Sequence, residues 1–210
     1  MGGSRTPGQR AGLTREAVLA GAYKLLVERG LDGLTMRGLA GRLGVAPNAL
    51  YSHVASKTAL IDDLLDEVLA EVHAPDPDAP DGAPSAYDGL AKIMASTYQV
   101  LLDHPDLVPL YLARQGARGA NARRLGQVMF AYLARAGVTG RQAHEARRVL
   151  IVYTIGFAAL AASPPVERSS DRPLPAHELF GNFESGLRWL LAGMLPETRG
   201  HSIESTRHID

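Results

Sequence analysis

Three observations predict an all-α protein of about nine helices. Apolar residues recur at three- and four-residue spacing along most of the 210-residue chain, capping residues and glycine or proline stops bracket those runs, and no segment alternates apolar and polar residues as a half-buried strand would. The same punctuation divides the chain into a flexible arm (1–12), an N-terminal three-helix unit (13–60), a C-terminal helical bundle (61–196) and a flexible tail (197–210). The bundle is entered through a connecting helix (61–72) and a Pro/Asp-rich linker (73–84).

The first helix is predicted over Thr14 to Gly30, with Val18, Ala22, Leu25 and Leu26 inward, Thr14 as cap and Glu16 in the first turn. Next, LDGLTMRGLAGRLGVAPNALYSHVASK, from Leu31 to Lys57, reads as two short helices around a tight turn, followed by a third start signal. Thr35 caps the first of them, and Met36, Leu39, Ala40 and Leu43 form its buried stripe. Gly44 permits the left-handed conformation that ends a helix without a Cβ clash. Pro47 is tolerated only in a first turn, so a second short helix begins near Ala46 and runs through Ser52. Only Leu50 and Val54 of that stretch look committed to a core. Its other side chains are small or hydrogen-bonding, which suits a helix whose open face enters a DNA major groove. Ser56 caps a longer helix carrying Leu60, Ile61, Leu64, Leu65, Val68 and Leu69. Lys57 in its first turn opposes the helix dipole, and an external anion such as a phosphate explains a cation there.

These residues resemble the tetracycline-repressor-like (TetR) family of bacterial transcription regulators. The resemblance is carried by the Arg29-Gly30 helix end before LDGLTMRGLAGRLGV, the Leu50-Tyr51-Ser52-His53-Val54 run, and Lys57 followed by an apolar helix; it covers Leu13 to about Val72. It implies an N-terminal helix-turn-helix domain, with Thr35, Met36 and Arg37 beside DNA, Pro47, Asn48 and Ala49 facing bases, and Tyr51, His53 and Lys57 on phosphates. Ala49 departs from a hydrogen-bonding reader. A methyl group can touch only a thymine methyl, so base readout would rest more on Arg37 and Asn48.

The formal net charge of zero hides a strong segregation. Residues 1–60 carry eight Lys/Arg against three acids, residues 61–110 eleven acids against Lys92 alone, and the last hundred thirteen Lys/Arg against eight acids. DNA affinity follows local phosphate neutralisation, so a basic N-terminal unit is compatible with a nucleic-acid partner. Ordinary solvated charge reads the same way, and only the motif separates the two. The arm, with Arg5 and Arg10, reads either as a minor-groove contact or as an unordered terminus. No cysteine is present, which is consistent with a reducing cytoplasm. No leader-like or membrane-spanning apolar run is apparent, because Arg147 and Arg148 interrupt the approach to Val149–Ala162. A cytoplasmic protein without a membrane partner is the expectation.

HAPDPDAPDGAP, from His73 to Pro84, cannot continue a helix. Beyond it, Ser85 with Asp88 makes a capping box for a helix to Leu102, Asp106–Gln115 is short, and Asn121–Ala136 follows. Thr139 with Gln142 makes a second capping box for a helix reaching Ala162. Ser163–Leu174 is a loop, and Ala176–Leu195 is the final helix before Pro196. Val149–Ala162 is apolar nearly all round, which demands burial on every side. An intramolecular core helix satisfies that demand, as does a homodimer interface. In the TetR family the last two helices form such an interface, and two-fold operators need two readers.

Aromatic and sulfur side chains concentrate on the middle helices. They read either as plain core or as the wall of a cavity for a small, largely apolar or aromatic effector. Tyr98, Tyr111, Met129, Tyr153 and Phe157 are the candidates for ligand contact, with Arg114 and Gln115 as polar partners. Catalysis finds little support: the sequence has no HExxH helix, GxSxG elbow or GxxxxGK loop, and no paired histidines on one helix face. His104, between Asp103 and Asp106, sits at a helix exit. No enzyme, metal or cofactor is expected. Two functional classes remain: an effector-responsive regulator, most simply a repressor on a palindromic operator, and an effector-independent structural DNA-binding protein.

Overall fold

The computed structural model describes residues 13–80, 82–163 and 174–195. The expected arm, the flexible tail and residues 164–173 of the expected loop lie outside the described residues. Nine α-helices and no strand are present among the described residues: α1 Arg15–Gly33, α2 Met36–Leu43, α3 Pro47–Leu50, α4 Lys57–Val68, α5 Ala86–Asp103, α6 Val108–Arg114, α7 Ala120–Arg135, α8 Gly140–Ala162 and α9 Ala176–Met194. Among them no helix is long and apolar enough to cross a membrane.

Local signals placed most of the boundaries. Thr14, Thr35, Ser56 and Ser85 each accept a backbone N–H from the third residue of the helix that follows, at 3.0–3.2 Å. Helical geometry in α1 breaks at Gly30 (φ 68°), as its sequence predicts, and a further turn carries the chain to Gly33. α2 ends on Gly44 in the left-handed conformation. Two expectations differ. α3 is a single turn that tightens after Leu50, with the Ser52 hydroxyl donating to the Ala49 carbonyl at 2.8 Å instead of the helix continuing. Thr139 makes no side-chain cap, so the second capping box is not formed.

α1, α2 and α3 pack together around Val18, Ala22, Leu25, Leu39 and Leu50, and α4 lies across α1. α5 and α8 form the centre of the remaining bundle, flanked by α6, α7 and α9. One hydrophobic core runs through both groups. The Pro/Asp-rich segment after α4 is irregular but fastened. Its Pro75 and Pro77 carbonyls accept from Tyr132 Oη and Arg135 Nη1 of α7 at 3.2 and 2.6 Å, and the His73 N–H donates to Ser96 Oγ of α5 at 2.9 Å.

α4 also supplies the cap that α7 lacks. The N-cap of α7 is Gly119, which has no side chain to offer, and the first amides of the helix, from Asn121 and Ala122, donate instead to the Asp66 carboxylate of α4 at 3.1 and 2.8 Å. The Asn121 side-chain amide donates to the Asp66 carbonyl at 3.1 Å. Glycine is required at 119 twice over, by its φ of 158° and because a Cβ would fall on that carboxylate. Asp66 is nearly buried, so an anion at a helix N-terminus here works at low dielectric. Asp66→Ala is expected to lower the unfolding free energy by about 1–3 kcal/mol and Asp66→Asn by less, since the amide keeps one acceptor, as read by urea denaturation.

Candidate nucleic-acid interface and cavity

The short helices of the N-terminal group present a polar surface on an apolar anchor. Leu50 and Val54 are buried in the core, while Thr35, Arg37, Pro47, Asn48 and Tyr51 are exposed and Met36, Ala49, His53 and Lys57 partly so. Arg37, Asn48 and Tyr51 have no side-chain hydrogen-bond partner among the described residues, so their polar atoms are free for a ligand. Arg42, by contrast, is held by Glu28 in a two-pronged pair at 2.5 and 2.8 Å. That pair draws the Glu28 carboxyl below its usual range, through the hydrogen bond first. Lys57 is tied inward: Nζ donates to the Leu31 carbonyl at 3.0 Å, bridging the start of α4 to the end of α1. An ammonium has three donors, which leaves two for a phosphate.

A cavity of about 470 Å³ opens between α5, α6, α7 and α8, within the size range of small-molecule sites. Of the seven residues expected at a ligand, Tyr111, Gln115 and Met129 line it. The other four are employed elsewhere. Tyr98, Tyr153 and Phe157 join Phe180 and Phe183 in an aromatic cluster that fastens α9 to α5 and α8, with Tyr98 stacked on Phe183 at 4.4 Å and Tyr153 Oη donating to the Phe183 carbonyl at 2.9 Å. Arg114 forms a two-pronged ion pair with Asp62 of α4 at 2.5 and 2.6 Å. Sequence reasoning missed His144, Arg147 and Arg148, which also line the cavity. Their signal was the interruption of an otherwise apolar helix.

The polar groups of the wall differ in what they have left to offer. Tyr111 is buried and donates to the Leu65 carbonyl of α4; burial, and then the Asp66 and Glu71 charges, push its hydroxyl far above the usual tyrosine range, so it stays a neutral donor. Thr154 donates to the Leu150 carbonyl at 2.9 Å. Gln115 holds φ 55° and ψ 46°, the sole non-glycine in the left-handed region among the described residues. Leu69, just past the end of α4, forms part of the floor. At the same end, His104 joins α1 to the turn that follows α4: Nδ1 meets Tyr23 Oη at 2.9 Å and Nε2 meets the Glu71 carboxylate at 3.1 Å.

Residues 18–64, which hold this three-helix group and most of α4, match the model of the bacterial regulatory proteins of the tetR family. Over 63 residues the chain is 51% identical to the class D tetracycline repressor protein of Escherichia coli, an alignment covering 30% of this chain and 29% of that protein. This N-terminal segment is a tetR-family module. An HTH-type transcriptional regulator of Saccharopolyspora erythraea is 36% identical over 119 residues, which is 57% of this chain and 48% of the relative. The chain therefore spans about half, or less, of the length of these curated relatives. Likeness to solved tetR-family structures extends through the bundle. A TetR variant from Acinetobacter baumannii AYE, in complex with minocycline, superposes with a TM-score of 0.69 at 28% identity, covering 86% of this chain and 96% of that one. BioQ with its double-stranded DNA operator gives 0.65 at 25% identity, covering 87% and 98%.

Proposed function

We propose that this chain is a ligand-responsive transcription repressor of the tetR family, which binds a palindromic operator as a homodimer and leaves it when a small, largely apolar molecule occupies the cavity. The observation that carries this reading is the position of α4. One end starts at Lys57 in the helix-turn-helix, and the other delivers Leu69 to the cavity floor while Asp62, Leu65 and Asp66 are gripped by the cavity helices α6 and α7. A solved neighbour with operator DNA and another with minocycline support the two halves of the reading. Residues 13–60 serve as the reader and 61–196 as the effector and dimerisation unit.

In the reader, Arg37, Pro47, Asn48 and Ala49 face bases, Thr35 and Met36 lie beside the DNA, and Tyr51, His53 and Lys57 meet phosphates. Asn48→Ala is expected to lose about 1–3 kcal/mol on the cognate operator with little change on random DNA, whereas Lys57→Ala weakens both and lowers the salt slope by about one unit. Titration of both duplexes by fluorescence anisotropy separates the roles; equal losses on both for Asn48→Ala overturn base reading.

The second copy docks on α8 and α9. Their outward face leaves Val149 43%, Leu160 63% and Trp189 75% exposed, on helices whose inner faces are packed. Such a run of large apolar side chains is costly to leave in water. Ala158 points inward and is fully buried within the chain, so a charge there tests folding more than assembly. Leu160→Arg is expected to give folded monomers at micromolar concentration in sedimentation velocity, because an unpaired charge in an apolar interface costs several kcal/mol. A wild-type chain that sediments as a monomer overturns the dimer.

Gating is tested by linkage. An effector that weakens operator binding by about 1–3 kcal/mol must itself be weakened by saturating operator by the same factor. Calorimetric titration of a cavity ligand with and without operator reads this directly. A cavity ligand indifferent to operator favours the effector-independent structural DNA-binding protein.

A further inference from the structure

Arg147 lies midway along α8 with its Nε fully shielded from solvent and without a hydrogen-bond partner among the described residues. Its guanidinium packs over the Phe130 ring, 5.4 Å from the centroid, and against Gly126 of α7, where an added Cβ would come within 3.2 Å of Nε. The aromatic face attracts the cation but offers no acceptor in the plane of the N–H groups. Arg148 and His144 line the same wall, His144 with its ring edge-on to Phe130 at 4.8 Å. Among the described residues no aspartate or glutamate lines the cavity. Arg15, Arg42, Arg114 and Arg141 are each paired with an acid, while Arg147 and Arg148 have no ion pair among the described residues.

We propose that the cavity selects an amphiphilic anion, a molecule whose single acidic group, carboxylate or sulfonate, pairs with Arg147 while its apolar body lies against Ile93, Met94, Leu101, Met129 and Ile155. The Tyr111 and Thr154 hydroxyls are already committed to backbone carbonyls and offer little orientation. Among the described residues, that leaves the cationic wall and the Gln115 amide as the open polar features of an otherwise greasy space, and only the cationic wall carries charge. A buried guanidinium donor without an acceptor is unfavourable, and an anionic oxygen relieves it with a charge-assisted bond stronger than a neutral one. Placed on α8 facing α7, the pair would draw together the two helices that Arg147 already bridges. The inference rests on the cavity being the effector site.

Two fluorescent probes with the same ring body test it: anilinonaphthalene sulfonate, an anion, and N-phenylnaphthylamine, its neutral counterpart. The full chain is expected to bind the anion about tenfold tighter or more. Arg147→Gln should abolish that preference while leaving the neutral probe within about twofold, and Arg147→Lys should retain most of it. Ile151→Trp, which fills the cavity, should weaken both probes. Equal affinities for the wild-type chain, a preference that survives Arg147→Gln, or anion binding indifferent to Ile151→Trp each overturn the proposal. Operator affinity, measured separately at saturating probe, distinguishes this from the regulatory reading. An anion-selective cavity whose filling leaves operator binding unchanged removes the gating and retains the anion preference. A cavity that prefers the neutral probe and still releases operator does the reverse.

Discussion

The Asp66 carboxylate is the contact on which the rest of the architecture turns. A helix that starts after Gly119 has no side-chain cap of its own, and its first amides, at a part-buried site, are satisfied by a side chain from another helix. The group that satisfies them belongs to α4, the helix that also leaves the helix-turn-helix. Capping in trans fixes α7 to α4 with directional bonds, where apolar packing alone would allow sliding. Arg114 on Asp62 and the Arg124 guanidinium on the Leu69 carbonyl, at 3.1 Å, extend the grip along α4. These bonds join α6 and α7 to α4.

The cavity is bounded by the helices that make this grip. Gln115 ends α6 in a left-handed conformation that a side chain adopts at a cost of about 1–2 kcal/mol, and it does so at the cavity wall. The Pro/Asp-rich segment, which looks from its composition like a slack tether, is pinned by α7 through carbonyls that proline leaves available. It braces the outside of the bundle. The side-chain ties between the helix-turn-helix and the bundle run instead through α4 and the His104 bridge between Tyr23 and Glu71.

The helix-turn-helix has the opposite design. α3 is one turn long, has no side-chain cap, and is held chiefly by Leu50 and Val54 inserted into the core. Its open side chains spend nothing on internal bonds. A recognition element built this way keeps its polar atoms for a partner and takes its orientation from the helices beneath it, so its placement depends on α4 as much as on its own sequence.

Helix positions, the turn at Gly44, the start at Pro47 and the module's membership of its family were legible in the sequence, because each depends on residues within about four positions of one another. Thr14, Thr35, Ser56 and Ser85 act as caps because the amide they satisfy is three residues away, whatever the fold; Thr139 shows that this local preference can still be overruled. The site in the bundle was not legible in the same way. Tyr111 and Tyr98 are alike in type and burial, and only the packing puts one on the cavity and the other under α9. Arg114 was expected at a ligand but meets a carboxylate 52 residues earlier, and Arg147, which in sequence only interrupts an apolar run, packs its guanidinium against Phe130 and Gly126 of α7. The apolar run of α8, which implied burial on every side, leaves Val149, Val152 and Leu160 exposed within the single chain. The sequence by itself determined which segments coil and which residue types each presents. Tertiary structure decided which of those side chains meet, because cavities, ion pairs and exposed faces arise from contacts between distant segments, and side-chain composition does not encode which segments come together.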